Sequence, residues 1–478
     1  MDNQIIKKYN YWQWRTLIIL MIGYALFYFV RKNFSIVMPA LESELGISKV
    51  QLGLFLTING IIYGVSRFIN GFLVDRIRHK RVMMAIGLTG SAIVTILIGL
   101  SPQMNAVFHF LDDTGKATTG LIYYIGSLWL INGYMQGMGY PPCCTLMAHW
   151  IKPSELATKQ SIWNSSHSIG AGLVALLCGT VILHYFGYEA WQWCFFIPAI
   201  LALLGALLII TGLKDDPSDV GLPDPESLDE HKEQDGQAEA HKKDTAFQHR
   251  VYKKMVSKMV FKNPILWILA FTNFFVYIIR FTILDWGSTF LTQFKGLSIQ
   301  TASTTVAASE IVGGIIGTLL AGWATDKFFK SKAHRTSLIG LIGATICLFL
   351  FWKTPASSAA LCIIFIVLAS FFIYMPQALL GIAASNQATK RVAASANGVV
   401  GILGYLSTTV SGLLFGALAQ NYGWDSVFLV SLIFGLVGAV ILALMWKAPA
   451  DGYEKAEKIL KEARAEVRAE IKDEKAEA

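Results

Sequence analysis

Two guanidinium groups, Arg31 and Arg280, stand inside apolar stretches long enough to cross a bilayer. Each lies about 15 residues beyond the start of its stretch, so at ~1.5 Å per residue both reach a similar depth. Each also follows a tyrosine by three positions, in Tyr28-Phe-Val-Arg31 and Tyr277-Ile-Ile-Arg280. An isolated charge near a bilayer centre costs at least ~2.5 kcal/mol, so it persists where it faces a cavity or an opposite charge. A guanidinium presents a planar fork of donors that suits phosphate oxygens, and it keeps its proton at ordinary pH. Two of them at one depth, in equivalent places, point to a shared anionic ligand. The alternative is a pair of structural arginines, each neutralised by a local acid such as Glu310, and it leaves the symmetric placement unexplained. Glu310, in Ser309-Glu-Ile-Val-Gly-Gly314, is the main acidic candidate inside a span; pairing with a pore cation is expected, with proton carriage as the alternative. Lys32 adjoins Arg31 but points about 100° away on a helix, which leaves shared coordination open.

The equivalence extends along the chain. Tyr28 to Tyr277 and Arg31 to Arg280 are both offset by 249 (277 − 28 and 280 − 31). Gly46-Ile-Ser48 answers to Gly296-Leu-Ser298, and Gly71-Phe-Leu-Val-Asp75-Arg76 answers to Gly322-Trp-Ala-Thr-Asp326-Lys327. Pro142 followed by Asn164 resembles Pro376 followed by Asn397, at a shorter offset that a shorter loop in the second half explains. The chain therefore reads as two similar halves, an arrangement that carriers use with the substrate site at the interface of the repeats.

Composition fixes the setting. Hydrophobic residues make up 54% of the 478 and charged residues 15%, below the ~25% charged of soluble domains. Twelve apolar runs of spanning length recur, at 16–38, 52–74, 82–101, 121–148, 160–185, 191–212, 264–290, 302–324, 337–353, 357–384, 394–421 and 425–447. The fold class expected is an all-α integral membrane protein of twelve transmembrane helices in two six-helix halves. The net charge of +8 is a topology signal rather than a nucleic-acid signal. Lys7, Lys8, Arg15, Arg76, Arg78, Lys80, Arg81, Lys327, Lys330, Lys332, Arg335, Lys390 and Arg391 gather on one side, whereas the opposite loops carry few cations. By the positive-inside rule both termini and the central loop are cytoplasmic.

Residues 1–213 form the first half and 263–447 the second, with a cytoplasmic linker and interfacial segment at 214–262 and a charged cytoplasmic tail at 448–478. The linker is polar over 214–244 and should be flexible. After it, Val251, Met255, Met259 and Val260 share a helical face, expected to lie on the membrane surface as it leads into span seven. In the tail, Ile459, Ala463, Val467 and Ile471 recur at four-residue steps, as in an amphipathic helix. The first span follows Tyr11-Trp-Gln-Trp-Arg15 without a small-residue cleavage site and reads as retained rather than as a signal peptide. The six cysteines fall within spans, with no spacing for a metal site, and no cofactor is expected. There is no nucleotide loop and no nucleophile–base constellation, which argues against ATP-driven transport and against an enzyme.

The stretch from Gly71 to Arg81, with its second copy at Gly322–Lys327, resembles the loop motif of the major facilitator superfamily. That resemblance implies a gating role for Asp75, Arg76, Asp326 and Lys327. A closer resemblance, over nearly the whole chain outside the tails and linker, is to the organophosphate:phosphate antiporters. Arg31-Lys-Asn-Phe34, the run from Asn132 through Gly-Tyr-Met-Gln-Gly-Met-Gly-Tyr-Pro-Pro to Cys143, and Trp163-Asn164-Ser-Ser-His167 carry it, as do Asp216-Pro217, Gly221-Leu-Pro223 and Asn263-Pro264. Thr158-Lys159, Ser168 and Ala171 depart from the family's fifth-span pattern but retain the histidine.

The resemblance implies that Arg31 and Arg280 clamp a phosphate, one from each half, and that His167 donates to it. It implies that Arg67 helps attract or pass the anion, and that Tyr24, Tyr28, Tyr277, Tyr374 and Tyr405 line the pore; aromatic packing and, for Arg67, an interfacial position are the bland alternatives. Tyr140 replaces a tryptophan of the glycerol-phosphate branch, and Pro141-Pro142 and Pro376 are expected to kink spans four and ten. Gly23-Tyr-Ala-Leu-Phe-Tyr28, Leu284-Asp-Trp-Gly287 and the run Pro376-Gln-Ala-Leu-Leu-Gly-Ile-Ala-Ala384 look most like the hexose-phosphate branch. The implied function is exchange of inorganic phosphate for a sugar phosphate, hexose 6-phosphate, by a functional monomer in a bacterial-type inner membrane. A hexose-phosphate membrane sensor, a glycerol-3-phosphate or phosphoglycerate antiporter, and a proton-coupled anion symporter stay open.

Overall fold

A segment surrounded by lipid has no water for its amides, so each apolar run closes its hydrogen bonds on itself as a helix. In the computed structural model, which describes residues 3–74, 77–151, 153–223 and 245–477, the chain is helical apart from turns, loops and one isolated bridge between Leu111 and Ala117. Eleven helices among the described residues are individually long and apolar enough to span: Gln4–Leu45, Lys49–Gly71, Lys80–Gly99, Ile162–Phe186, Tyr188–Gly212, Pro264–Asp285, Ile299–Phe329, Ala333–Lys353, Ala359–Thr389, Ser395–Tyr422 and Trp424–Ala443. The remaining crossing, fourth in order, consists of two helices, Thr119–Gly137 and Tyr140–Trp150, joined through Met138 and Gly139. Pro141 and Pro142 begin the second piece, where a missing N–H breaks no helical bond. Pro376 behaves differently from expectation. Helical dihedrals run through it, and the departures from them fall at Thr389 and Val392, between spans ten and eleven.

The two halves meet most closely at the end opposite the termini. Spans two and eleven approach so tightly that a Cβ on Gly53 would lie 2.3 Å from the Gly412 carbonyl oxygen, and one on Gly416 would lie 2.4 Å from that of Lys49. Thr57 bonds across this seam twice, donating to the Thr408 carbonyl (2.9 Å) and accepting from the Leu413 amide (3.0 Å). Spans five and eight meet at Gly179 and Ser303 and at Thr180 and Thr304, whose hydroxyls are 3.0 Å apart. Gln293 donates to Glu42 at the same end (2.7 Å). Toward the terminus end this closeness is lost: a Cβ on Gly71, Gly322, Gly398 or Gly401 would meet nothing within 4 Å.

The chain leaving span six is tied to the first half. The Trp150 indole donates to the Lys214 carbonyl (2.9 Å), the Arg81 amide donates to buried Asp215 (2.9 Å), and Asp216 caps the short turn Pro217–Val220. Gly221 then reverses the chain at φ +70°, a conformation that favours glycine. Of the stretch 214–244 that was expected to be flexible, 214–223 is thus held in place, and 224–244 lies outside the described residues.

The helix after it corrects the expectation of a membrane-surface helix. Val251, Met255 and Met259 are buried, and the tail helix Tyr453–Glu477 packs on this segment through Ala456, Ile459, Ala463 and Val467. The pairing is antiparallel: Arg250 meets Glu474 (2.6 Å), Lys254 meets Glu470 (2.6 Å), and Lys258 meets Glu466 (2.6 Å). The face expected on lipid is thus covered by the amphipathic face of the tail helix.

Candidate functional site

Span one is bent where its arginine sits. Val30 has non-helical dihedrals (φ −99°, ψ 19°), and two amides on span four hold the neighbouring backbone. Asn132 donates to the Val30 carbonyl (3.0 Å) and Gln136 to that of Phe27 (3.1 Å). These are the amides of the Asn132-Gly-Tyr-Met-Gln136 motif, so the motif fixes the bend beside Arg31. In the second half Asn273 of span seven donates to the Val400 carbonyl of span eleven (2.9 Å), one interhelical bond bracing the helix that carries Arg280.

A cavity of about 230 Å³ lies between the halves. Its walls bring together Arg31, Lys32, Arg67, His167 and Arg280 with Tyr24, Tyr28, Tyr140, Tyr277, Tyr374 and Tyr405. The Arg31 guanidinium makes no hydrogen bond or ion pair with the described residues; it lies over the Tyr63 ring at 4.1 Å and that of Tyr28 at 5.5 Å. Arg280 donates to the Tyr374 hydroxyl (3.3 Å), and its buried Nε has no partner. Most of the ten guanidinium N–H donors of this pair are therefore unspent. Arg67 stacks on Tyr140, 3.6 Å from the ring centroid, and donates to Tyr405 across the halves (3.3 Å).

Glu310 reaches Arg280 through a phenol rather than directly: the Tyr374 hydroxyl donates to Glu310 while accepting from Arg280. Lys32 lines the cavity, but its ammonium pairs with Asp285, a buried carboxylate of span seven. Asp285 was not singled out from sequence, where Glu310 stood as the main acid inside a span. The signal was a carboxylate within the same apolar run as Arg280, five positions on. The cavity and its immediate neighbours thus carry three guanidiniums and a lysine against two carboxylates, an excess of two basic groups.

The His167 ring has a defined tautomer. Its Nδ1 bonds the Asn164 carbonyl, which can only accept, so Nδ1 carries the proton. Nε2 faces the Ser168 hydroxyl at 3.2 Å. In this geometry the neutral ring offers an anion no free N–H, and donation to one takes the doubly protonated form. Tyr24 stacks on Trp163 at 4.7 Å, which ties the fifth-span motif to the cavity wall.

Asn164, Thr318 and Gln377 also line the cavity and were not proposed as site residues from sequence. At the terminus end, Asp326 accepts from Ser331 (2.8 Å) and Lys327 lies over Trp323 at 4.7 Å, both exposed and away from the cavity. Asp75 and Arg76 lie outside the described residues.

The family model described as Major Facilitator Superfamily matches residues 20–412 and 306–474. The chain is 32% identical over 463 residues to a probable hexose phosphate transport protein of Chlamydia trachomatis, covering 95% of each. It is 35% identical over 450 residues to the glycerol-3-phosphate transporter of Bacillus subtilis, covering 93% of this chain and 95% of that one. It is 30% identical over 459 residues to the membrane sensor protein UhpC of Salmonella typhimurium, covering 95% and 96%. Among solved structures, a D-xylose–proton symporter superposes with a TM-score of 0.68 at 15% identity, over 91% of this chain and 98% of that one, a likeness of fold. Twelve crossings in two halves, a cationic cavity between them and these full-length likenesses agree: the chain is a multi-pass membrane protein of the major facilitator superfamily, in its organophosphate:phosphate antiporter branch.

Proposed function

We propose that this protein exchanges inorganic phosphate for a sugar phosphate, hexose 6-phosphate, by alternating access. The observation that carries the reading is the pair Arg31 and Arg280, one from each half, facing one cavity with most donors unspent and two basic groups in excess. A phosphate monoester carries about −1.5 to −2 at neutral pH, which matches that excess. Guanidinium forks take phosphate oxygens two at a time, so an anion between them is shared by both halves.

The exchange follows from this sharing. The halves are sealed opposite the termini and apart toward them, so the cavity is open at the terminus end. With the termini cytoplasmic, as the charge asymmetry indicates, this is the inward-facing state in an inner membrane. An empty cavity keeps two like charges facing each other, which opposes closure at the open end. A bound dianion removes that repulsion and draws the halves together, and the seam at Gly53 and Gly412 can then part. Reorientation is favoured only when the site is loaded, which makes the carrier an exchanger. Arg67, joined to Tyr405 across the halves, adds a third guanidinium to the cavity that an entering anion meets.

Labelled phosphate efflux from proteoliposomes tests the reading. Efflux should need phosphate or hexose 6-phosphate outside and should persist when a protonophore collapses the proton gradient. Rapid efflux into ligand-free buffer, or an absolute need for the gradient, would reject exchange. Tight hexose-phosphate binding by a folded protein that exchanges nothing would assign it instead to sensing, the role that the name of its UhpC relatives gives them.

A further inference from the structure

Three neutral polar side chains line the cavity, Asn164 exposed and Thr318 and Gln377 half-buried. Among the described residues no hydrogen bond engages the side chains of Asn164, Thr318 or Gln377, yet all three face the same space as the arginines. Gln377 is the sharpest case. Its Oε1 is shielded from solvent and has no partner among the described residues, a condition that costs about 1–3 kcal/mol where it is left unmet. Turning the amide over exchanges acceptor for donor at that place, so either orientation leaves one polar atom unpaired.

All three lie on the terminus side of the arginines. Gln377 lies three residues beyond Tyr374 on span ten, which runs toward the terminus end; Tyr374 holds Arg280. Asn164 lies three residues before His167 on span five, which runs away from that end, and so also sits one turn toward it. Thr318 lies eight residues beyond Glu310 on span eight, again toward the terminus end. At ~1.5 Å per residue these positions start about one turn below the arginines, at Gln377 and Asn164, and reach about two turns at Thr318, with Arg67 lining the same cavity. A phosphate held between Arg31 and Arg280 would send its organic part toward these positions.

Resting on the exchange reading above, we infer that Gln377, with Thr318 and Asn164, is the subsite that reads the hydroxyl groups of the phosphate ester. A sugar hydroxyl both donates and accepts, so it satisfies the Gln377 amide in either orientation and the Thr318 hydroxyl as well. Inorganic phosphate does not reach these side chains. The arginines set affinity for the anion, while the neutral subsite discriminates polyhydroxylated esters from those without hydroxyls.

The test compares Gln377→Leu and Thr318→Val with the parent protein in proteoliposomes and, in parallel, by binding to the purified protein. The probes are inorganic phosphate, methyl phosphate and glucose 6-phosphate. Each variant is read as the ratio of glucose 6-phosphate to inorganic phosphate and methyl phosphate, so that a general loss of anion binding cancels. Competition and binding by glucose 6-phosphate should weaken about tenfold or more in Gln377→Leu and less in Thr318→Val, because one hydroxyl loses its partner. If Gln377→Leu does not fold, the weaker but selective loss in Thr318→Val carries the test. Unchanged glucose 6-phosphate binding, or equal weakening of all three probes, overturns the subsite. A parent that fails to exchange phosphate rejects the transport reading, while the binding arm still decides this one.

Discussion

Gly412→Ala should push the carrier out of the conformation described here. A Cβ at Gly412 would lie 2.4 Å from Thr57 Oγ1 and 2.5 Å from the Gly53 carbonyl oxygen, and real Cβ contacts of that length do not persist. Spans two and eleven must separate, which stretches the two hydrogen bonds of Thr57 across the seam. Overpacking of this kind costs about 1–3 kcal/mol. The helix propensity of Ala over Gly applies in both conformations and cancels. The packing cost falls only on the state sealed opposite the termini, so the equilibrium should move about 5- to 150-fold toward the opposite-facing state. The assay places a single cysteine at Ala378, on the cavity wall, in a cysteine-free background. An impermeant thiol reagent applied from the terminus side should label it quickly in the parent and more slowly with Gly412→Ala, with the reverse from the other side. Gly401→Ala is the control, because its Cβ meets nothing within 4 Å. Equal labelling in parent and Gly412→Ala, or an equal shift in the control, would refute the seam as the closing contact.

The buried pair Lys32–Asp285 should be asymmetric to mutation: Asp285→Asn strands an ammonium and costs about 3–5 kcal/mol, whereas Lys32→Met with Asp285→Leu recovers much of the loss, read as thermal stability in detergent. The tail clasp should be acid-sensitive. Hydrogen bonds from Lys258 and Lys254 hold the Glu466 carboxyl down to about 2, below its ordinary value. A depressed folded value means that this contribution is whole above about pH 4.3 and fades as pH falls from there toward 2. Amide exchange protection of Tyr453–Glu477 should follow that window, and protection unchanged at pH 2 would show that the apolar face alone holds the helix. Both partners are exposed, so molar salt should weaken the clasp too.

The internal offset of 249 made the arginines legible, because a repeat places equivalent residues at equivalent depth whatever the loops do. The tyrosines were legible for the same reason and through the family motifs. Asp285 was visible as a letter, but its meaning depends on span seven meeting span one at Lys32, a contact between residues 253 positions apart in the chain (285 − 32). Gln377 and Thr318 look in sequence like the polar glue that joins helices in lipid, and only an unpaired atom in a cavity separates the two roles. The segment from Val251 to Met259 and the tail helix each show an apolar face in sequence, and for the first of them the bilayer was the nearest cover. Their charges held the missing clue: three basic residues at four-residue steps, Arg250, Lys254 and Lys258, match glutamates at 462, 466, 470 and 474.

The central claim is that one anion is held by two arginines contributed by the two halves, and lysine replacement tests it most directly. Arg31→Lys and Arg280→Lys keep the charge but remove the planar fork. Labelled phosphate exchange, measured in proteoliposomes at matched protein density, should fall about tenfold or more in each variant while the protein stays folded and monodisperse. Near-normal exchange by both lysine variants would contradict the two-arginine clamp.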